Sequence, residues 1–184
     1  MSTHQTKHTH TIADEISEIT EQNPDFCYQC GKCSAGCPMR NYMDQSPNVI
    51  VRYVQLGMFD KAFESSTPWL CAGCLTCTTR CPKNYDLAKF MDAIRELALR
   101  KRYIVKEKDL LKFHKAFLKQ IKKYGRSYEL GLVRDYKLST FHMMQDVDAS
   151  PEMFLNGKIG LFPKKSKNVD LIKKIFEKTE IKIK

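Results

Sequence analysis

Apolar residues recur three or four positions apart along most of this chain, and nowhere do they alternate as a half-buried strand requires. Ile12, Ile16 and Ile19 give one face to a short helix over 11–21, which Pro24 closes. Ser46-Pro47 supplies an N-cap followed by proline at the first helical position. Val49, Ile50, Tyr53 and Val54 then keep helical spacing until Gly57. A second short helix turns Met58, Phe59, Ala62 and Phe63 inward as far as Ser65. Asp86 caps the strongest pattern, in which Leu87, Phe90, Met91, Ile94, Leu97 and Ala98 form one stripe up to residue 102. The next helix covers 108–124, with Leu110, Leu111, His114, Phe117, Leu118 and Ile121 on one side and Gly125 beyond it; His114 reads as a packed histidine. A short helix over 128–136, a turn from Ser150-Pro151 to Gly157, and an amphipathic segment over 169–177 (Leu171, Ile172, Ile175, Phe176) complete the pattern. The expected fold class is all-α. Three segments are expected: a tail with a short helix over 1–22, a central domain over 23–103, and a helical extension over 104–184. The weak periodicity of 137–167 suggests that the extension serves docking rather than a second core.

The central segment carries the chemistry. All eight cysteines of the chain lie there, as Cys27-x2-Cys30-x2-Cys33-x3-Cys37-Pro38 and again as Cys71-x2-Cys74-x2-Cys77-x3-Cys81-Pro82. This is the spacing that holds 4Fe–4S clusters in two-cluster ferredoxins. Cysteines at i, i+3 and i+6 on a tight turn can aim three thiolates into one pocket, and Gly31, Gly36 and Gly73 sit where the backbone must bend. The fourth cysteine, followed by proline, leaves that turn, and in two-cluster proteins it ligates the other cluster. The expected ligand sets are therefore Cys27, Cys30, Cys33 and Cys81 for one 4Fe–4S cluster, and Cys71, Cys74, Cys77 and Cys37 for a second. Structural zinc favours separated cysteine pairs instead. Disulfides need an oxidising compartment, and the polar, histidine-bearing residues 1–10 lack the apolar core of a secretion signal; His4, His8 and His10 read as part of a frayed terminus. Trp69, the one tryptophan, is expected to pack beside a cluster and shield it from water. Lys32 is expected to raise the potential of the cluster beside it.

Charge changes this picture little. The formal net charge is +10, and two dianionic clusters bring it to about +6. The basic residues are spread along helices, which suits solvated faces and docking to an acidic protein partner better than nucleic acid. No apolar run approaches the roughly 20 residues of a membrane span, so no membrane contact and a cytoplasmic location are expected. With every thiol assigned and no G-x-G-x-x-G loop, neither disulfide chemistry nor nucleotide binding is expected here. The chain reads as a non-catalytic electron carrier.

Two such cysteine runs on a helical frame, with Trp69-Leu70 before the second, resemble the α-helical ferredoxin domain. That domain also occurs in the iron–sulfur subunits of succinate dehydrogenase and fumarate reductase, whose additional plant-type 2Fe–2S domain has no counterpart in this sequence. The stretch from Lys112-Phe113-His114-Lys115-Ala116-Phe117 to Gly125-Arg126 is more similar to the C subunits of the soluble heterodisulfide reductases of methanogens. The resemblance implies a protein that relays electrons from a flavin-containing, electron-bifurcating A subunit to a catalytic B subunit. The latter reduces the coenzyme M–coenzyme B heterodisulfide, in a cytoplasmic complex coupled to a hydrogenase or formate dehydrogenase. The alternatives are a relay subunit of a glycolate, glycerol-3-phosphate or succinate/fumarate-type dehydrogenase, and a freestanding ferredoxin-like carrier.

Overall fold

The computed structural model describes residues 11–141 and 162–179. His4, His8, His10 and the turn expected over 150–157 lie outside them. Among the described residues all regular structure is helical, as the apolar spacing requires. The backbone divides into two compact units, Met1–Lys106 and Glu107–Lys184.

In the first unit, α1 (Ile12–Thr20) opens with a capping box: Thr11 Oγ1 accepts from the Asp14 N–H, and the Asp14 carboxylate accepts from the Thr11 N–H. It ends at Glu21, in the left-handed region at φ 57°, three residues before Pro24. The short α2 (Lys32–Ala35) follows within the first cysteine run. Next comes α3 (Pro47–Gln55), which has proline at its first turn as expected, although the Ser46 side chain makes no capping bond. The series continues with α4 (Phe59–Glu64), α5 (Thr67–Leu70), α6 (Thr76–Thr79) in the second run, and α7 (Leu87–Arg100), capped by Asp86 through the Lys89 N–H.

Helix α7 is the hub, with α1, α4, α5 and α6 packed around it. Leu87, Ala88, Phe90, Met91, Ala93, Ile94, Leu97 and Ala98 are all buried, a face wider than the predicted stripe. A helix apolar over so much of its circumference belongs in a core. Each large buried side chain contributes about 1.5–3 kcal/mol. Trp69 is 3% exposed and joins this core. Ion pairs Lys101–Glu15 (2.8 Å) and Lys89–Glu21 (3.2 Å) link α7 to α1 at the surface and add little.

In the second unit, α8 (Lys108–Tyr124) packs against α9 (Glu129–Thr140) and α10 (Val169–Thr179). Here the structure departs from the sequence pattern. The buried line on α8 is Ala116, Gln120 and Tyr124, whereas Phe117 and Leu118 are 38% and 52% exposed. The cause is a polar centre. Gln120 donates from Nε2 to Asp135 Oδ2 (3.1 Å), Lys119 and Arg134 pair with the same carboxylate, and Gly131 leaves room for the amide. A Cβ on Gly131 would lie 2.7 Å from Gln120 Oε1. Helix α9 also runs to Thr140, into a stretch expected to be irregular.

Candidate metal centre

Each cysteine run folds as a left-handed turn followed by a one-turn helix. In the first, Gln29 (φ 62°) and Gly31 (φ 75°) reverse the chain before α2; in the second, Gly73 (φ 62°) and Leu75 (φ 62°) do so before α6. The two runs need the same two positive-φ positions, and each places glycine at a different one. Gly36 serves otherwise than expected. Its backbone is ordinary (φ −102°), but a Cβ there would lie 2.5 Å from Arg80 Nη1. It is the Arg80 side chain, not a bend, that leaves no room at this position. Leu75 bears the left-handed cost of about 1–2 kcal/mol while 54% exposed. Leu75→Gly is therefore expected to raise the denaturation midpoint slightly, less than that cost because glycine loses more entropy on folding. Denaturant titration of the cluster-loaded protein reads it.

The short helices α2 and α6 pack on one another, which brings the two runs together. Two cavities result. The first, of ≈360 Å³ including its open side, is lined by Cys27, Cys30, Cys33 and Cys81, with Cys77, Asn48, Val51 and Tyr85. The second, of ≈430 Å³ on the same measure, is lined by Cys37, Cys71, Cys74 and Cys77, with Met39, Met43 and Met91. All eight cysteines are free thiols, and Cys30 and Cys74 are the exposed ones. Among the described residues no three His, Cys, Asp or Glu side chains close on a single ion. Instead, at least four cysteines line each cavity, the number of thiolates that a four-iron cluster takes. The donor set and the cavity shape fit iron–sulfur chemistry.

Polar groups hold both runs in place. Gln55 Nε2 donates to the carbonyls of Pro24 (2.9 Å) and Cys27 (2.8 Å), fixing the entry to the first run. Asn48 accepts from Ser34 Oγ (2.6 Å) and donates to Gln29 Oε1 (3.0 Å), bracing the turn itself. Gln29 Nε2 approaches Cys27 Sγ at 3.5 Å. On the second run, Arg95 donates to the Cys71 carbonyl (3.3 Å) and pairs with Asp92, while Thr78 Oγ1 donates to Asp86 (2.9 Å). The approach to that run is anchored by Asp44, which accepts from Ser65 Oγ (2.6 Å), Ser66 N (3.1 Å), Thr67 Oγ1 (3.0 Å) and Lys106 Nζ (3.1 Å).

The thiols differ in acidity by position. Burial raises the Cys27 pKa, opposed by the Gln29 N–H and reinforced by nearby Cys81 and Cys30. Burial likewise raises Cys33 and Cys77, the latter also through Cys71 and Cys33. The exposed pair moves the other way. The Lys32 backbone N–H leads in lowering Cys30, and the Thr76 hydroxyl leads in lowering Cys74. At Cys30 the Lys32 ammonium is a smaller influence than its backbone N–H, and its exposed side chain is screened by water. Tyr85 donates its backbone N–H to Cys81 Sγ (3.3 Å). Burial, followed by the negative charge of Cys27, pushes its phenol pKa upward, so the group stays an O–H donor.

Sequence reasoning missed Tyr85, Asn48, Gln55, Asp44 and Arg95. Tyr85 alone carried a signal, standing four residues beyond a ligand-type cysteine. The others act across long stretches of chain, or on backbone atoms, and spacing does not encode that.

Comparison with known proteins places the cysteine runs in a matched segment. Residues 26–85 match the 4Fe-4S dicluster domain family. The iron–sulfur C subunit of the CoB–CoM heterodisulfide reductase of Methanopyrus kandleri is 34% identical over 101 residues, covering 50% of this chain and 53% of that protein. The C subunit of the ferredoxin:CoB-CoM heterodisulfide reductase of Methanosarcina acetivorans is 37% identical over 75 residues, 41% of this chain and 30% of that one. The C2 subunit of the H2/formate:CoB-CoM heterodisulfide,ferredoxin reductase of Methanococcus maripaludis is 35% identical over 75 residues, 41% of this chain and 40% of that one. The matched region thus spans between about a third and a half of these curated relatives. The cysteine-bearing segment matches the 4Fe-4S dicluster family, and the chain that carries it is similar to the iron–sulfur C subunits of heterodisulfide reductases.

Proposed function

We propose that this chain is the electron-relay subunit of a cytoplasmic heterodisulfide reductase complex. In this reading it accepts electrons from a flavin-containing A subunit and delivers them to a catalytic B subunit that reduces the coenzyme M–coenzyme B heterodisulfide. A hydrogenase or formate dehydrogenase feeds the assembly. Cys27, Cys30, Cys33 and Cys81 hold one 4Fe–4S cluster, and Cys71, Cys74, Cys77 and Cys37 hold the other. Each cluster, when bound, supplies a centre that takes up and releases one electron.

The observation that carries this reading is the lining of the two cavities. Together they take in every cysteine of the chain, and they abut through Cys77 and Leu87. No thiol is left to attack a disulfide, so the reducing chemistry belongs to a partner. The protein's own contribution is local. Backbone and side-chain donors steady the thiolates, the methionines and Leu87 exclude water, and exposed Cys30 and Cys74 bring each site to the surface where a partner can approach. No helix among the described residues is long and apolar enough to cross a membrane.

Anaerobic purification of the native protein tests the proposal. Co-purification with a flavoprotein and a second iron–sulfur subunit, in an assembly that reduces the heterodisulfide, is the expected result. A free species of 21.4 kDa, or companions from a glycolate, glycerol-3-phosphate or succinate/fumarate-type dehydrogenase, would overturn it.

A further inference from the structure

The two cavities are unequal in hydrogen-bonding capacity. Tyr85 lines the first, is 4% exposed, and stacks at 6.0 Å, tilted, on Phe90. Its hydroxyl is fully buried and finds no hydrogen-bond partner among the described residues. A buried O–H left unmade costs about 1–3 kcal/mol, so a native phenol in such a place has an acceptor. Of the polar side chains that line the cavity beside it, Asn48 is already engaged with Ser34 and Gln29, and the rest are cysteines, whose sulfurs are the acceptors left. The second cavity has no counterpart. The residue equivalent to Tyr85 in the first run is Asn41, which is exposed and outside the lining, and apart from its cysteines and the Thr76 hydroxyl the surface there is apolar, with Met39, Met43, Pro47 and Met91 among its residues. Arg95, the cation beside the second cavity, directs its guanidinium to the Cys71 carbonyl and to Asp92. On the second run the Thr76 hydroxyl lies 3.4 Å from Cys74 Sγ, at an exposed cysteine where water competes.

We infer that the Tyr85 hydroxyl donates a hydrogen bond to a sulfur of the cluster held by Cys27, Cys30, Cys33 and Cys81, making it the more easily reduced of the two. This rests on the two-cluster reading above. A donor stabilises the reduced cluster, which carries one more negative charge, over the oxidised one, and the low dielectric around a buried phenol strengthens the effect. The Tyr85 backbone N–H at Cys81 and the Gln29 amide at Cys27 act in the same sense. Electrons then enter at the cluster of the second run, near Cys74, and leave from that of the first, near Cys30.

An EPR-monitored redox titration of the cluster-loaded holoprotein tests this. Signals are assigned with Cys30→Ala and Cys74→Ala, each of which removes one. In wild type the first-cavity signal should have the higher midpoint. Tyr85→Phe keeps the ring on Phe90 and should lower that midpoint by about 59 mV, a tenfold change in a one-electron equilibrium, leaving the other in place. It should also abolish one deuterium-exchangeable proton coupling to that cluster, a signature packing alone does not produce. Tyr28→Phe, at a 56% exposed tyrosine beside Cys30, should shift it less. An unmoved midpoint, a shift confined to the other cluster, an unchanged proton coupling, or a larger effect from Tyr28→Phe overturns the assignment. A wild-type protein lacking two such signals overturns the cluster reading itself.

Discussion

Cys81→Ala is expected to abolish the same EPR signal as Cys30→Ala, and Cys37→Ala the same signal as Cys74→Ala. Cys81 lies in the second run by sequence but lines the first cavity, and Cys37 does the reverse. A three-thiolate site leaves one iron corner without its ligand, so the iron bound per chain should fall by up to about half in each variant. Stability falls with it, because cluster binding is coupled to folding. Iron and sulfide analysis beside EPR reads both effects. If Cys81→Ala instead silences the signal lost in Cys74→Ala, each run keeps its own four cysteines and the crossed assignment fails.

The largest effect expected away from the cysteines is at Asp44. Burial alone would raise its pKa, but hydrogen bonds from Ser65, Ser66, Lys106 and Thr67 outweigh this and hold it well below the usual carboxylate range. Ser65 and Ser66 are 3% and 6% exposed, so removing their acceptor strands the Ser65 hydroxyl and the Ser66 N–H, while Thr67 keeps the Gln45 carbonyl (2.7 Å). Asp44→Ala should destabilise the loaded protein by about 2–4 kcal/mol, a fall of about 10 °C in Tm. The pH dependence has a defined sign. A carboxylate with a depressed native pKa stabilises the fold above its ordinary value and loses that contribution as the pH falls. The gap between wild type and Asp44→Asn should therefore be full at pH 7 and narrow below about pH 4. A gap that widens on acidification would contradict this account.

The parts of the fold that could be read from sequence are those where one local rule dominates. The stripe from Leu87 to Ala98 marks α7 because a core helix must be apolar at helical spacing. The cysteine runs are legible because the geometry of a cluster fixes ligand spacing. What escaped depended on competition between rules. Gln29 and Leu75 adopt positive φ although nothing in their side chains favours it, since the turn around the sulfurs outweighs local preference. On α8, the Gln120–Asp135 pair with Gly131 displaced the more apolar Phe117 and Leu118 from the buried line. The Asp44 network joins residues more than 20 positions apart, and hydrophobic periodicity carries no trace of it.

The exchange of fourth cysteines between the cavities also bears on biogenesis. A nascent chain that has emerged only through Cys37 can offer no complete cavity, because the first waits for Cys81 and the second for its other three thiols. On the proposed ligand sets, cluster insertion waits until the whole segment is out and α2 has met α6. The assembly machinery then meets two sites that become available at nearly the same time.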